Sequence, residues 1–266
     1  MPLTPEIIDS YREALYAVEG LVLRIGQPSA ALDALLEAES ARSAAFLTAA
    51  NPRGELRSHA ANEAAMQALR SSLALPFRAG EGRDPKGRWP AEPSLLVIGI
   101  SRGEAEALGR KFEQNAIVFV EKGRAPELVL LRRMRLVIDT QVWLDWLVFG
   151  DASVAPLRAE IQARHAEVVI DAACLAELER VLAYPLKRSV DVEACVAACL
   201  RIAMKVQCEA PRELPVCRDP DDQKFLELAA AAKADCLVTR DRELLRLNER
   251  CKAWFQVVRP AAFVRR

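Results

Sequence analysis

Two short apolar runs in this chain each deliver carboxylates at their ends. Leu136-Val137-Ile138 leads into Asp139-Thr140, and Cys236-Leu237-Val238 leads into Thr239-Arg240-Asp241. Each run has the make-up of a buried parallel strand, and open α/β sheets place their chemistry just past the carboxyl ends of such strands. Between the two lie Glu177 and the acidic knot Asp219-Pro220-Asp221-Asp222. Two carboxylates about 4 Å apart repel by about 4 kcal/mol at an effective dielectric of about 20, so three or four cannot all stay ionised without a cation or a proton. The chemistry that suits such a cluster is the binding of a hard divalent cation through oxygen ligands.

The local pattern assigns these acids unequally. Asp139 emerges where a strand hands over to a helix; it could serve a site or cap that helix, a job Thr140 could do equally well. Asp219 before Pro220 is a standard helix start, and Asp221 is a solvated acid at the positive end of the helix dipole. Asp222 precedes Phe225, Leu226 and Ala229 by three, four and seven residues, which puts it on the inward face of its helix. Asp241 either belongs to the site or caps a short helix. On the helix that carries Cys174, Leu175, Leu178, Val181 and Leu182 as its apolar stripe, Glu177 and Glu179 flank the stripe almost symmetrically, and the pattern does not choose between them.

The elements that must position these residues form a regular alternation in the second half of the chain. The pattern predicts strands at 135–138, 167–170, 236–238 and 255–258, separated by helices at 140–149, 154–165, 172–183, 192–205, 220–233 and 242–247, which implies a parallel sheet covered by helices. The first half reads as mixed α/β: a helix over 5–17, strands at 21–25, 45–49, 95–100 and 116–120, helices over 57–75 and 103–112, and a Gly/Pro-rich loop over 80–93. The 266 residues suggest two domains, and the charged stretch from Glu121 to Met134 is the natural linker. The expected domains are residues 1–133 and 134–266.

Composition narrows the classes. With 52% apolar and 28% charged residues the chain is ordinary and globular, and its apolar runs are far too short to span a membrane. MPLTPEIIDSYREAL carries charges where a signal peptide needs an apolar core, so the expected location is the cytoplasm. Lys and Arg together number 37 against 37 Asp and Glu, which argues against wrapping nucleic acid by bulk charge; any such contact must be local or metal-assisted. The seven cysteines, 174, 195, 199, 208, 217, 236 and 251, have no CxxC pair and read as reduced small hydrophobes. His59 and His165 are the only histidines, too few for a histidine-rich site.

The motifs VIDTQVW, VVIDAACLAELERVL and CRDPDDQKFLELAAAAKADCLVTRDRELL, in this order, resemble those of PIN-domain nucleases, in particular the branch of bacterial toxin–antitoxin toxin components. The resemblance covers about residues 134–262. It implies a three-layer α/β/α fold with a parallel sheet and Mg2+- or Mn2+-dependent endoribonuclease activity on RNA. It also implies an acidic metal site of Asp139, Glu177, Asp222 and Asp241 with Thr140 and Thr239 as polar neighbours. It alone selects Glu177 over Glu179. Candidate partners are an RNA substrate, an antitoxin protein and a second copy of the chain, and Lys224, Arg240 and Arg242 are candidates for contact with the RNA backbone. One departure is Gln141, where the family usually has Asn; its longer side chain would donate a hydrogen bond from a shifted position. The alternative reading is a non-catalytic RNA- or partner-binding module with a degraded site. A phosphotransfer enzyme with Asp139 as acceptor is disfavoured, because the haloacid dehalogenase pattern needs a second Asp where Gln141 stands.

The first half resembles a bacterial family of unknown function through LRIG at 23–26, AFLTAANPRG at 45–54, PSLLVIGI at 93–100 and KFEQNAIVFV at 111–120. Asn51, Arg53, Arg83, Trp89, Glu92 and Asn115 stand in or beside its loops, where binding residues concentrate. GEGRDPKG is a weak phosphate-loop candidate, since it lacks the Lys-Ser/Thr ending.

Overall fold

A computed structural model describes residues 1–186, 189–207, 209, 211 and 213–264. The chain divides into two compact units, one of Ile7–Arg132 with Met1, the other of Arg133–Arg266 with Pro2–Glu6.

The first unit is built on strands β1 (Leu15–Val18), β2 (Leu21–Leu23), β3 (Ser43–Leu47), β4 (Phe77–Arg83), β5 (Glu92–Ile98), β6 (Ala116–Glu121) and β7 (Glu127–Leu130), with helices α1 (Pro5–Glu13), α2 (Ala30–Ala38), α3 (His59–Ser71) and α4 (Arg102–Lys111). Its seven strands pair antiparallel in the order β2-β1-β4-β5-β3-β6-β7. Alternation along each strand feeds two cores. Ala45, Leu47, Leu95, Val97, Ile117 and Phe119 pack with Met66 and Leu69 of α3 and Ala105 of α4. Their neighbours Ala44, Phe46, Leu96, Ile98, Val118 and Val120 pack with Leu32 and Leu36 of α2. The sheet is therefore covered on both faces.

Several sequence expectations fail here for identifiable reasons. The helix expected over 5–17 ends at Glu13, because Leu15–Val18 pairs antiparallel with Gly80–Arg83; tertiary pairing overrides the local pattern. The loop expected over 80–93 is half strand. Its Gly80 lets the backbone of β1 approach, since a Cβ there would strike the Ala17 carbonyl and the Phe46 ring. Gly80–Arg83 thus belong to a sheet, and Asp84 binds the Arg88 guanidinium at 2.8 Å, so the phosphate-loop candidate is a strand followed by an ion-paired turn. The expected linker contains β7, paired to β6 from Ala116↔Leu130 to Phe119↔Glu127. Helix α2, capped by Ser29, has no counterpart in the sequence-based assignment.

Among its described residues the second unit has five parallel strands, β8 (Met134–Ile138), β9 (Ala166–Ile170), β10 (Ala203–Lys205), β11 (Cys236–Val238) and β12 (Gln256–Val258), in the order β10-β9-β8-β11-β12. Helices α5 (Thr140–Leu144), α6 (Ala155–Gln162), α7 (Ala172–Leu182), α8 (Val192–Ile202), α9 (Gln223–Ala231), α10 (Arg242–Arg246) and α11 (Asn248–Cys251) link them. α5 continues into a wider turn over Asp145–Phe149, and the helix expected over 192–205 stops at Ile202, whose successors become edge strand β10. Cys174, Cys195, Cys199, Cys217, Cys236 and Cys251 are free thiols, five of them buried; Cys208 lies outside the described residues. Among the described residues no helix is long and apolar enough to cross a membrane.

Residues 2–6 complete this unit from the far end of the chain. Leu3 is fully buried, and its N–H donates to Asp235 Oδ1 at 2.6 Å. Asp235 Oδ2 accepts from the Arg135 N–H at 2.9 Å, so one buried carboxylate ties three segments together. Leu3→Ala should destabilise the second unit by about 2–5 kcal/mol, the usual cost of emptying a buried leucine site. A melting transition of the second unit unchanged by the substitution would show that residues 2–6 contribute nothing to it.

Candidate active site

The strand order reverses direction at β8: the chain steps to β9 and β10 on one side, then returns to β11 and β12 on the other. The crevice at such a switch point, outside the carboxyl ends of the strands, is where open sheets bind ligands. The parallel register Ile138↔Val238 makes Asp139 and Thr239 the next residues on adjacent strands, and the Asp139 N–H continues the ladder to the Val238 carbonyl at 3.1 Å.

Asp139 is 4% exposed. Its Oδ1 accepts from the Val142 N–H at 3.0 Å, capping α5, and its Oδ2 accepts from the Thr239 hydroxyl. Cap and site residue are thus one role with two oxygens. Burial pushes its carboxyl up to about 6, against hydrogen bonds from Thr239 and from the backbone of Val142, Gln141 and Arg240. Thr239 is wholly buried, and its Oγ1 accepts from the Asp241 N–H at 2.9 Å. Asp241 caps α10, with Oδ1 accepting from Glu243 N–H at 2.7 Å and Leu244 N–H at 2.9 Å. Thr239 therefore connects the two acids. Thr140 is buried, and its Oγ1 has no hydrogen-bond partner among the described residues.

Asp222 closes a short turn, Pro220–Asp222, just before α9, after Asp219 has capped that turn through the Asp221 N–H at 2.9 Å. Its carboxyl is pushed up to about 6 by burial first, then by the charges of Asp241, Asp219, Asp139 and Glu177. The charges named here are all negative, and three of them belong to the other expected site acids. Glu177, on α7, is half-buried, while Glu179 is exposed. The Glu177 carboxylate meets the Lys224 ammonium, which also reaches the Asp221 carbonyl.

Two of the three candidates for contact with the RNA backbone are ion-paired within the unit. Lys224 is held by Glu177, and Arg240 pairs with Asp145 at 2.8 Å and Asp151 at 3.2 Å and reaches the Ser153 hydroxyl. Arg242 and Gln141 are exposed. The Asp145–Arg240–Asp151 clamp was not read from the sequence, although a signal existed: Asp145 is the one acid in the apolar stretch Val142–Phe149. Burial raises its carboxyl, and Arg240 opposes the rise. Because Arg240 lies between Thr239 and Asp241, the clamp anchors the loop that carries both.

A divalent ion suits these donors by chemistry, since all four are carboxylates and neighbouring acids raise the carboxyl of Asp222. Among the described residues, however, no three acidic, histidine or cysteine side chains converge closely enough to form a ready-made ligand set. Binding an ion requires side-chain rotation.

In the first unit the loop candidates bind side chains of the same unit. Asn51, in the left-handed region at φ 46°, donates to Glu92 Oε1 at 2.6 Å and accepts from Arg57 N–H and Asn62 Nδ2, both at 2.9 Å. Arg53 pairs with Glu113 at 2.7 Å, Arg83 with Glu81, Trp89 donates to Ser10 Oγ at 3.3 Å, and Asn115 accepts from Arg132 Nε at 2.8 Å. These bonds fasten loops.

Comparison with known families agrees with this division. Residues 135–243 match the family described as PIN domain (PIN_3), and residues 47–117 match "Protein of unknown function (DUF3293)". No curated protein matches the chain. PIN domains are three-layer α/β/α folds that are generally metal-dependent nucleases, and the parallel sheet of the second unit has that architecture. The chain carries a DUF3293 domain followed by a PIN domain.

Proposed function

We propose that the PIN domain is a Mg2+- or Mn2+-dependent endoribonuclease, a toxin component of a toxin–antitoxin pair, acting at the acidic site of Asp139, Asp222, Asp241 and Glu177. The observation that carries this reading is Asp222: a half-buried carboxylate whose proton is held by burial and by the negative charges of four other acids. Such a group calls for a cation, and oxygen donors select a hard divalent one. When bound, the ion would supply positive charge to a phosphate oxygen and make a coordinated water acidic enough to attack. Asp139 and Asp222 would hold it, with Asp241 oriented by its helix cap. The Thr239 hydroxyl fixes the rotamer of Asp139. The Thr140 hydroxyl, without a hydrogen-bond partner among the described residues, is available to a water or phosphate oxygen beside Asp139. No protein nucleophile is needed.

A second reading, a non-catalytic RNA- or partner-binding module, draws support from the exposed Gln141 and from the lack of a converged ligand set. The two readings diverge in a cleavage assay on structured and unstructured RNA. With Mn2+ the wild type should cleave, and Asp139→Asn should lose activity on the order of 100-fold or more, the scale on which removing a key electrostatic group acts. RNA bound but left intact, with or without Mn2+, would favour the binding module.

The raised carboxyls give a second prediction. Asp139 and Asp222 titrate at about 6 in the fold, against about 4 in an unfolded chain. The folded state holds these protons more tightly, so the stability they contribute is full below about pH 4 and is lost as pH rises through about 6. The melting temperature without metal should therefore fall from pH 5 to pH 7.5, and Asp222→Asn should reduce that fall. Mn2+ at pH 7.5 should restore stability to the wild type by mass action. If the wild type and Asp222→Asn show the same pH profile, Asp222 is not the strained acid of this site.

A further inference from the structure

We propose that the first unit binds a guanidinium-bearing small molecule, with the Glu92 carboxylate as its counter-ion and the rings of Trp89 and Tyr16 beside it. The inference is independent of the acidic site of the second unit.

The sheet register lays out the place. Tyr16 on β1 lies opposite Gly82 on β4, and Gly82 lies opposite Glu92 on β5. Directly opposed residues of antiparallel strands put their side chains on one face, so Tyr16, Gly82 and Glu92 form a row across the sheet. The middle of that row carries no side chain. A Cβ at Gly82 would meet the outer edge of the Trp89 indole at 3.6 Å and the Tyr16 ring at 3.9 Å, so both rings reach over this position, next to Glu92. The indole N–H, which donates to Ser10 Oγ at 3.3 Å, holds Trp89 there.

Glu92 is the residue that calls for a ligand. Among the described residues its carboxylate forms no ion pair and accepts one hydrogen bond, to Oε1 from Asn51 Nδ2 at 2.6 Å; Oε2 has no donor. Burial raises its carboxyl against that bond. Burial first, and among other groups the charge of Glu92, raise the phenols of Tyr11 and Tyr16, which places all three within electrostatic reach. Arg132 opposes the rise at Tyr11, but its guanidinium is bonded to Asn115 Oδ1 at 2.8 Å. A glutamine would accept the Asn51 bond without a charge to desolvate, so a carboxylate here serves a cation that comes to it. The Asn51 side that meets it is strained, with Asn51 and Arg53 in the left-handed region at φ 46° and 56°, as functional loops often are. Among organic cations a guanidinium suits the place: it is more weakly hydrated than an ammonium, stacks on aromatic rings and offers several N–H donors to a carboxylate.

Isothermal titration calorimetry on the full chain tests this with butylguanidinium, butylammonium and the uncharged isostere butylurea, with melting curves without ligand alongside. The wild type should bind butylguanidinium with a Kd of about 1 mM or tighter, and the other two at least about tenfold more weakly. Glu92→Gln should weaken butylguanidinium binding by about tenfold or more and, relieved of a half-buried charge, melt no lower than wild type. Trp89→Leu should weaken it by about three- to tenfold. Asp222→Asn should bind as wild type does, which separates this place from the acids of the second unit. No binding up to about 10 mM, equal binding of butylammonium or butylurea, unchanged binding by Glu92→Gln, or loss of binding in Asp222→Asn would overturn the proposal. A Glu92→Gln variant that melts lower without ligand would make Glu92 a structural partner of Asn51 and overturn it as well.

Discussion

The site depends on the parallel pairing of β8 with β11. Once Ile138 lies opposite Val238, Asp139 and Thr239 are adjacent although a hundred residues separate them in the chain. A shift of one residue would turn the side chains of β11 to the other face and part the two. The register is held firmly, because Leu136, Val137, Ile138, Leu237 and Val238 are all essentially without solvent contact. Apolar burial in the sheet is thus what brings charge together at its end.

That arrangement carries a cost which the surrounding structure offsets only in part. Helix caps orient Asp139 and Asp241, and the Thr239 hydroxyl links them. None of these donors supplies a full positive charge. Two nearby cations are turned to other acids, Lys224 to Glu177 and Arg240 to Asp145 and Asp151. The result is a loop and a helix start held rigidly around carboxylates whose repulsion is left standing, the strained polar arrangement that functional sites show more often than structural ones.

Much of this was legible in the sequence. The apolar runs that end in acids marked β8 and β11, and the Asp-Pro pair marked the turn before α9. Periodicity could not separate Glu177 from Glu179, because the two flank one apolar stripe; what separates them is the packing of α7 on α9, a tertiary fact. The Arg240 clamp was hidden for a similar reason, since its partners lie about ninety residues away in sequence. In the first unit, Gly80 and Gly82 disguised a strand as a loop. Glycine in a strand serves a neighbour's approach, and the neighbour, β1, had itself been read as helix.

The tie between Leu3 and Asp235 spans 232 residues, and it sets what counts as a module in this chain. A segment can be cut, permuted or transplanted as a unit only if it contains all the strands and anchors its core uses. By that standard the second unit is discontinuous: most of it follows residue 132, but residues 2–6 precede the stretch Ile7–Arg132 of the first unit. The intervening domain is in topological terms an insertion between the two parts of its neighbour. A chimera that joined this PIN domain to a different N-terminal partner would have to carry residues 2–6 with it, on the far side of the partner it replaced.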